Sequence, residues 1–374
     1  MKITIAPDSY KGSLSANDAA KTIERAIKST LPDAQTFLKP MADGGEGTLD
    51  TLIKTLNGQK VFLKCKGPLG EEIETYYGII EEDTAVIEIA NICGLTLVPF
   101  DKRNPEKTTT YGIGETIEHA VNNGFKKIII GLGGSATNDG GYGMLRALGV
   151  KGLDINNQSL SFFAKDLYAL NQLDWRYLNP DLKDVTITVA NDVSNPLCGQ
   201  NGASFIYGEQ KGGTIKQIEK LDQALLNFAR IVEHFTHTAY DHNEGAGAAG
   251  GLGFALRVIG ATLTPGAKLI GKRIKLDSSI ISSDLVITGE GKSDKQTLHG
   301  KAPIYVSQLA KEYKKPIILI SGSVENNHKE LTKNFTSVFS ILNAPLPIEE
   351  AMFHAEELLY NQVVQIMQLI KLNI

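Results

Sequence analysis

Short apolar runs that end in polar, glycine-rich segments recur along this chain, and they restrict its fold more than any other feature. The first run, ITIA, precedes a helical pattern that Ser15 can cap, and a second run at residues 36–38 precedes a helix that Thr48 can cap. A strand–helix–strand–helix order predicts a parallel sheet. The same order returns at Asp284, where the runs LVIT, IILIS and SVFSI alternate with helical patterns.

The middle of the chain has a different pattern. From Gln59 onward, KVFLKC, ETYYGII and TAVIEIA are short, rich in β-branched and aromatic residues, and separated by turns, which predicts antiparallel strands. A long amphipathic helix follows over residues 215–235. We therefore predict that residues 1–60 and 284–374 share one parallel-sheet domain, and that residues 61–283 form a second α/β domain inserted into it.

The segment GEGKS, residues 289–293, is close in pattern to a phosphate-binding P-loop. A P-loop would need glycine at position 286, because that glycine lets the loop wrap the phosphates, and this chain has Val286 there. Val286 also lies inside LVIT, which predicts a strand. GEGKS is therefore interpreted as a polar segment at the carboxyl end of a strand, not as a P-loop.

Composition excludes several classes of protein. The net charge of -4 argues against a general nucleic-acid or membrane-surface binder. The three cysteines are widely spaced, which suggests no zinc or redox motif and fits a reducing compartment. No run approaches the roughly 20 apolar residues of a membrane span, and MKITIAPDS lacks the apolar region of a secretory signal. We expect a cytoplasmic monomer or homodimer that acts on small molecules.

Five polar segments follow predicted strands, and ligands in open α/β sheets bind just beyond the carboxyl ends of the strands. GLGGSATNDGG is the strongest phosphate candidate, because its glycines expose backbone N–H groups and a following helix adds partial positive charge. A tight turn that merely needs glycine is the alternative. A sixth segment, GAGAAGGLG, could hold an anion or could serve close helix packing. The five segments are PDSYKGS (7–13), MADGGEG (41–47), GLGGSATNDGG (131–141), NDVSNPLCG (191–199) and TGEGKSD (288–294).

Carboxylates in these segments are candidates for magnesium ligation and general-base catalysis. Any one of them alone is more simply a helix cap or a turn residue, but several at one edge of a sheet favour chemistry. Lysines in the same segments could neutralise phosphate charge, although an exposed lysine is usually only solvated. His299 is a further candidate. The carboxylates are Asp8, Asp43, Glu46, Asp139, Asp192, Glu290 and Asp294, and the lysines are Lys11, Lys292 and Lys301.

Together the segments resemble the type-1 glycerate kinase family. PDSYKGSLSA, MADGGEGT, GLGGSATNDGGYGML, NDVSNPLCGQNGAS, GAGAAGGLG and DLVITGEGKSDKQTLHGKAP occur in the family's order, up to about Pro303. The resemblance implies a discontinuous flavodoxin-like (Rossmann-type) parallel-sheet domain with an inserted α/β domain. It also implies ATP-dependent phosphorylation of D-glycerate with Mg²⁺. Asn191 and Lys292 depart from the family, which often carries a small residue or cysteine at the first position and arginine at the second.

Within this resemblance, phosphorylation at the 2-hydroxyl of glycerate is favoured. The 3-hydroxyl, another small hydroxy acid, and a glycerate or nucleotide sensor remain alternatives. A dinucleotide-dependent dehydrogenase is disfavoured, because PDSYKGS rather than GxGxxG follows the first strand. The implied residues are Asp192, Asp43 and Lys11 for catalysis, Gly133, Gly134, Ser135, Asn138 and Asp139 for nucleotide or phosphate, Asp8, Ser9, Gly44, Gly45, Glu290, Asp294 and Lys301 for substrate, and Asp43 and Glu290 for Mg²⁺.

Overall fold

The computed structural model describes residues 1–298, 300–325 and 328–372. The chain divides into two compact units. Unit 1 comprises Met1–Asp43, Asp50–Asn57 and Pro265–Ile374, and unit 2 comprises Gly44–Leu49 and Gly58–Thr264.

Strands and α-helices alternate through most of the described residues. The strands are β1 (Lys2–Ile5), β2 (Gln35–Leu38), β3 (Gln59–Lys66), β4 (Glu72–Ile80), β5 (Thr84–Glu88), β6 (Lys127–Gly131), β7 (Lys151–Leu153), β8 (Gln172–Asp174), β9 (Thr186–Ala190), β10 (Thr262–Thr264), β11 (Leu285–Ser293), β12 (Ile317–Val324) and β13 (Ser337–Ser340). The helices are α1 (Ala16–Thr30), α2 (Thr48–Thr55), α3 (Ala90–Cys93), α4 (Tyr111–Asn122), α5 (Tyr142–Ala147), α6 (Ala203–Tyr207), α7 (Ile215–Thr236), α8 (Ala248–Val258), α9 (Gly266–Arg273), α10 (Leu276–Ile281), α11 (Ala302–Glu312), α12 (His328–Leu331), α13 (Ile348–Phe353) and α14 (Ala355–Lys371). Short 3₁₀ helices cover Leu95–Leu97, Phe100–Lys102, Pro105–Lys107, Ala164–Tyr168, Pro180–Asp184 and Lys295–Leu298.

Unit 1 is built on a five-stranded sheet in the order β2-β1-β11-β12-β13, and every neighbouring pair is parallel. Counted along the chain within the unit, this is the 2-1-3-4-5 order of flavodoxin-like folds. The predicted α/β fold class is therefore confirmed. The order reverses between β1 and β11, and such a switch point opens a crevice beyond the carboxyl ends of the two strands.

The core of unit 1 follows from the apolar spacing of its helices. Ser15 caps α1 as predicted, because its side chain accepts the Asp18 N–H at 3.1 Å. The helix then buries an apolar stripe that includes Ile23 and Ile27, and it packs beside α14, which buries Leu359. Two helices thus cover one face of the sheet.

The division into units differs from the predicted division of the chain at two places. The sequence pattern predicts residues 265–283 in the inserted domain, but they form α9 and α10, which pack against α11 and group with unit 1. Gly44–Leu49 likewise group with unit 2. The sequence pattern changes at Asp284 because a strand begins there. Nothing in the sequence of the two preceding helices indicates which unit they pack against.

Strand β11 is longer than the sequence suggests. The sequence predicts LVIT as the strand and GEGKS as the polar segment after it, but β11 runs through Ser293. Its parallel pairing with β12 extends from Val286↔Ile317 to Ser293↔Val324. The polar residues of GEGKS are therefore held by a sheet ladder, which fixes them more rigidly than a loop would.

Gly289 shows why glycine is needed inside this strand. A Cβ at this position would lie 2.1 Å from the Ile320 carbonyl oxygen and 2.6 Å from the Tyr10 hydroxyl. Tyr10 is buried, and its hydroxyl donates to that same carbonyl at 2.7 Å. The missing side chain lets the segment after β1 pack directly on β11.

Unit 2 contains a six-stranded sheet in the order β10-β9-β6-β5-β4-β3. The β3–β4 and β4–β5 pairs are antiparallel, as predicted for this stretch, whereas the pairs from β5 to β10 are parallel. Helix α7 covers Ile215–Thr236 and buries Leu221, Leu225 and Phe228 on one stripe. Strands β7 and β8 form a separate two-stranded antiparallel sheet.

We predict that Gly289→Ala lowers stability by roughly 1–3 kcal/mol, because the added methyl group must displace backbone rather than a flexible side chain. Thermal unfolding followed by circular dichroism measures the change in Tm. Lys292→Ala on the same strand is the control, since its side chain is 56% exposed and its loss should cost little. Equal Tm values for Gly289→Ala and wild type would contradict the packing argument.

Candidate active site

Three acidic side chains interact at the switch point of the unit 1 sheet. Asp8 lies just after β1, Asp43 lies in the segment after β2, and Glu290 lies on β11. The charges of Asp43 and Glu290 both act on Asp8. The sheet order brings them together, because β1 is flanked by β2 on one side and by β11 on the other.

Asp8 is held by backbone contacts on both sides. Its N–H donates to the Gly289 carbonyl at 2.8 Å, and its Oδ1 accepts the Ser9 N–H at 2.7 Å. The residue is only 7% exposed. Burial, together with the Asp43 carboxylate, raises the pKa of Asp8 well above its usual value, although the Ser9 N–H and the Lys11 charge oppose the shift.

Glu290 is buried as well, at 5% exposure, but it has more hydrogen-bond partners. Its Oε1 accepts from the Ser293 hydroxyl at 2.8 Å and from the Thr297 hydroxyl at 2.6 Å. The Lys301 Nζ lies 3.8 Å from its Oε2. Burial raises the pKa of Glu290, and these donors and the Lys301 charge lower it.

The three lysines predicted from sequence take different positions. Lys301 is the N-cap residue of α11 and approaches Glu290. Lys11 is exposed in the segment after β1, close enough to act on Asp8. Lys292 instead pairs with Glu325 at 2.7 Å, and its Nζ is 4.0 Å from Asp294. Only Lys301 and Lys11 therefore place positive charge beside the acidic cluster, which consists of Asp8, Asp43 and Glu290.

Asp294, a predicted substrate contact, begins a turn after β11. Its N–H donates to the Thr297 hydroxyl at 3.0 Å, and its carbonyl accepts the Thr297 N–H at 3.2 Å. Its negative charge also acts on Glu290. The residue thus contributes to the geometry and the charge around Glu290. His299, the other candidate in this stretch, lies outside the described residues.

No group of three or more His, Cys, Asp or Glu side chains within residues 1–298, 300–325 and 328–372 is arranged to hold a metal ion. Magnesium, however, is usually bound through one or two carboxylates plus phosphate oxygens and water. Asp43 and Glu290 are donors of this kind. Burial and the nearby Asp43 carboxylate raise the pKa of Asp8, and a divalent cation would offset the repulsion between these carboxylates. The residues present therefore fit magnesium in the company of a phosphorylated substrate.

In unit 2, the predicted phosphate loop is largely closed on itself. Gly134 is exposed and Gly133 is half-buried, whereas Ser135, Asn138 and Asp139 are buried. Asp139 accepts the N–H groups of residues 110, 141 and 143 and the hydroxyl of Thr110 at 2.8–3.1 Å. Its carboxylate thus ties the loop to the start of α4. The part that can face a ligand is the Gly133–Gly134 turn.

Lys211 is a buried residue of this loop region that the sequence did not single out. It is 3% exposed, and its Nζ donates to the Thr137 carbonyl at 2.6 Å and the Ser135 hydroxyl at 3.2 Å. Burial lowers its pKa to about 8, and the negative charge of Asp139 opposes that shift. The only local signal is a lysine before a Gly-Gly pair, QKGGT, which reads as a surface turn.

Gly44 and Gly45 pack against the ends of β6 and β9 in unit 2. A Cβ on Gly44 would lie 2.7 Å from that of Ala190, and a Cβ on Gly133 would lie 2.3 Å from the Gly45 Cα. Glu88, at the end of β5, accepts the N–H groups of Gly47 and Leu49 at 3.0 and 2.8 Å. This buried glutamate, missed from sequence, holds the segment that leads into α2.

Asp192, the predicted base, is exposed just after β9. The preceding Asn191 shapes the turn, since its amide donates to the Val193 carbonyl at 2.6 Å and its backbone N–H donates to the Thr264 carbonyl at 3.0 Å. The Asn191 side chain therefore has a structural use in this turn.

GAGAAGGLG serves close packing in this structure. Ala249, Gly250 and Gly251 have left-handed backbone, which kinks α8. A Cβ on Gly250 would lie 1.9 Å from the Thr137 carbonyl oxygen, and the Gly140 N–H donates to the Gly250 carbonyl at 2.9 Å. The packing alternative from the sequence accounts for these glycines.

The chain is similar to known proteins along its whole length. The glycerate kinase family matches residues 3–371. A glycerate 2-kinase from Escherichia coli K12 is 45% identical over 94% of this chain and 93% of its own, and a Bacillus subtilis 168 glycerate kinase is 44% identical over 100% and 98%. A crystal structure assigned to glycerate kinase 2 of Salmonella typhimurium LT2 superposes with a TM-score of 0.90 at 41% identity, covering 100% of this chain and 99% of that one. This chain belongs to the glycerate kinase family.

We predict that Asp8→Asn stabilises the fold at pH 8 and abolishes most activity. The raised pKa means that the folded state binds the Asp8 proton more tightly than the unfolded state, so stability falls as the pH rises from the ordinary value near 4 through the folded-state pKa. The asparagine removes that loss and keeps an acceptor for Ser9.

The test measures Tm from pH 3.5 to 8 in metal-free buffer. The Tm of Asp8→Asn should exceed that of wild type at pH 8 and converge with it in acid. Asp33→Asn, on an exposed turn, is the control with no such pH dependence. A constant Tm difference at every pH would contradict the assigned cause.

Proposed function

We propose that this protein transfers the γ-phosphoryl group of ATP to the 2-hydroxyl of D-glycerate, giving 2-phospho-D-glycerate and ADP. The observation that carries the proposal is the cluster of Asp8, Asp43 and Glu290 at the switch point, next to Lys11 and Lys301. Phosphoryl transfer needs positioned acids, cations and little covalent chemistry from the protein. The glycerate 2-kinase at 45% identity favours the 2-hydroxyl.

The acidic cluster supplies the proton acceptor. A general base must lie within hydrogen-bond reach of the proton that it accepts, which a carboxylate beside the bound hydroxyl group can do. Asp43, half-buried next to Asp8, takes this role in unit 1, and Asp192 is the candidate in unit 2. Asp8, with Ser9 and Asp294, orients the glycerate hydroxyl groups by hydrogen bonding.

Positive charge stabilises the transferring phosphoryl group. Lys11 and Lys301 supply it from the protein, and Mg²⁺, held by Asp43 and Glu290, would supply the rest when bound. In unit 2, Gly134 at the exposed tip of the Gly133–Gly134 turn offers its backbone N–H to a substrate anion, and Gly133 and Gly45 pack together beside it. Ser135, Asn138 and Asp139 support that turn through their buried contacts.

The reaction also suggests where the protein works. No helix of the described residues is long and apolar enough to cross a membrane, and all three cysteines are free thiols. A cytoplasmic location, where ATP and free thiols are maintained, belongs to this proposal.

Phosphorus NMR of the protein with D-glycerate, ATP and Mg²⁺ tests the reaction and the position together. Phosphate on C2 couples to one carbon-bound proton and gives a doublet, whereas phosphate on C3 couples to two and gives a triplet. We expect the doublet, and loss of turnover with EDTA that added Mg²⁺ restores. A triplet would move the reaction to the 3-hydroxyl, and intact ATP would reject the kinase.

Substitution of the two candidate bases distinguishes them. We expect kcat to fall about 10²–10⁴-fold for the variant that removes the base, as is typical for general-base catalysis. Asp43→Asn and Asp192→Asn are compared with Asp33→Asn as the control, and circular dichroism confirms folding. A near-normal kcat eliminates that residue as the base. If kcat survives in both variants, neither carboxylate accepts the proton.

A further inference from the structure

A cavity of about 380 Å³ lies at the carboxyl ends of β11, β12 and β13 within unit 1. Its volume falls in the range of ligand pockets, which is about 300–1,000 Å³. The residues that line it come from the segment after β1, from the ends of the three strands, and from α13 and the start of α14. The candidate site residues from sequence explain only one edge of it.

The outer wall of the cavity is apolar. Leu342 and Leu346 lie in the loop after β13, Ile348 and Met352 are on α13, and Ala355 begins α14. Helix α13 has no fully buried residue, and Ile348 is 69% exposed. Apolar side chains that stay accessible to solvent around a concavity are typical of a binding site.

The floor is formed by backbone without side chains. Gly291 and Gly322 lie on the neighbouring strands β11 and β12, and a Cβ on Gly322 would lie 2.3 Å from the Gly291 carbonyl oxygen. A Cβ on Gly291 would in turn lie 3.1 Å from the Lys11 backbone nitrogen, so the two glycines let these backbone segments pack closely on this side of the cavity. A planar ring can lie against backbone at van der Waals distance.

The opposite edge of the cavity carries two cations, Lys11 and Lys292. Lys292 pairs with Glu325, but both side chains are about half exposed, and such surface pairs contribute little and exchange readily. Lys11 also acts on Asp8, and Gly291 follows Glu290 in the chain. The charged edge of the cavity is therefore continuous with the acidic cluster.

We propose that this cavity binds the adenine and ribose of ATP, with the base on the Gly291–Gly322 floor against the apolar wall and the phosphates directed along Lys11 and Lys292 toward the acidic cluster. The proposal rests on the proposed kinase function, because it names where the donor of that reaction is held. It accounts for an apolar wall, a backbone floor and two cations on one rim, which is the chemistry that a heteroaromatic ring with an anionic chain requires. It also gives a role to Lys292, which does not place its charge beside the cluster of Asp8, Asp43 and Glu290.

Filling the cavity tests the base site directly. Ala351 lines the cavity on α13 and is half-buried, so Ala351→Phe should occupy the space of the ring. Glu350→Phe places the same side chain on the neighbouring exposed position, which does not line the cavity. Calorimetry compares the binding of ATP with that of inorganic tripolyphosphate, which has the phosphates but no base.

For Ala351→Phe we expect ATP to bind at least tenfold more weakly, tripolyphosphate to bind unchanged, and the KM for glycerate to stay the same. Lys292→Met should weaken ATP and tripolyphosphate alike, and Glu350→Phe should resemble wild type. If Ala351→Phe binds ATP as wild type does, the base lies elsewhere. If it weakens both ligands equally, the cavity holds phosphate and not the ring.

A second measurement avoids any effect of the substitution on folding. Photolabelling of the unmodified protein with 8-azido-ATP should attach the label to a peptide from residues 341–355, and excess ATP should prevent it. Label confined to another region would overturn the proposal. The labelling result is separate from catalysis. A protein that forms phosphoglycerate but is labelled elsewhere keeps the kinase function and loses this site. A protein that is labelled here without forming product keeps this site and loses the kinase function.

Discussion

The hydrogen bond from the Asp8 N–H to the Gly289 carbonyl, at 2.8 Å, is the contact on which the site in unit 1 depends. Strand β1 ends at Ile5, but this bond continues its alignment with β11 for one more step. Asp8 is thereby held beside the strand that carries Glu290. Because Gly289 has no side chain, the Tyr10 hydroxyl and the Ile320 carbonyl can also pack against it.

This arrangement concentrates negative charge where water is scarce. Burying a carboxylate is unfavourable unless it is paired, and Asp8 has one backbone donor and a nearby lysine for that purpose. Glu290 has two hydroxyl donors and Lys301. The difference means that Asp8 is the less satisfied acid, and such residual strain at a switch point is typical of functional sites rather than of a structural core.

Much of the fold could be predicted from the sequence because its signals are local. The Ser15 cap, the apolar stripe of α1 and the β-branched strands of unit 2 depend on neighbouring residues, and the structure confirms them. The extension of β11 through GEGKS could not be predicted in this way. Those residues have poor strand propensity, and they form a strand because β12 continues alongside them.

Part of the candidate site could also be predicted from local signals. The acids beside glycine-rich segments are visible in the sequence, since strand ends recur at known places. Lys211 and Glu88 are not, because each acts on residues far away in the chain, at Thr137 and at Gly47. Their partners are set by the tertiary fold, and a single sequence does not show which distant residues come into contact.

The pairing of β1 with β11 has a consequence for how the chain is made. Ile3 lies opposite Leu285, so the central pair of the unit 1 sheet joins two strands that are separated in the chain by the whole of unit 2. At ~5–20 residues per second, β11 leaves the ribosome roughly 15–55 s after β1. During that interval β1 has only β2 as a neighbour and presents an open edge. Unit 2, which ends at Thr264, can complete its own sheet before β11 is available to β1.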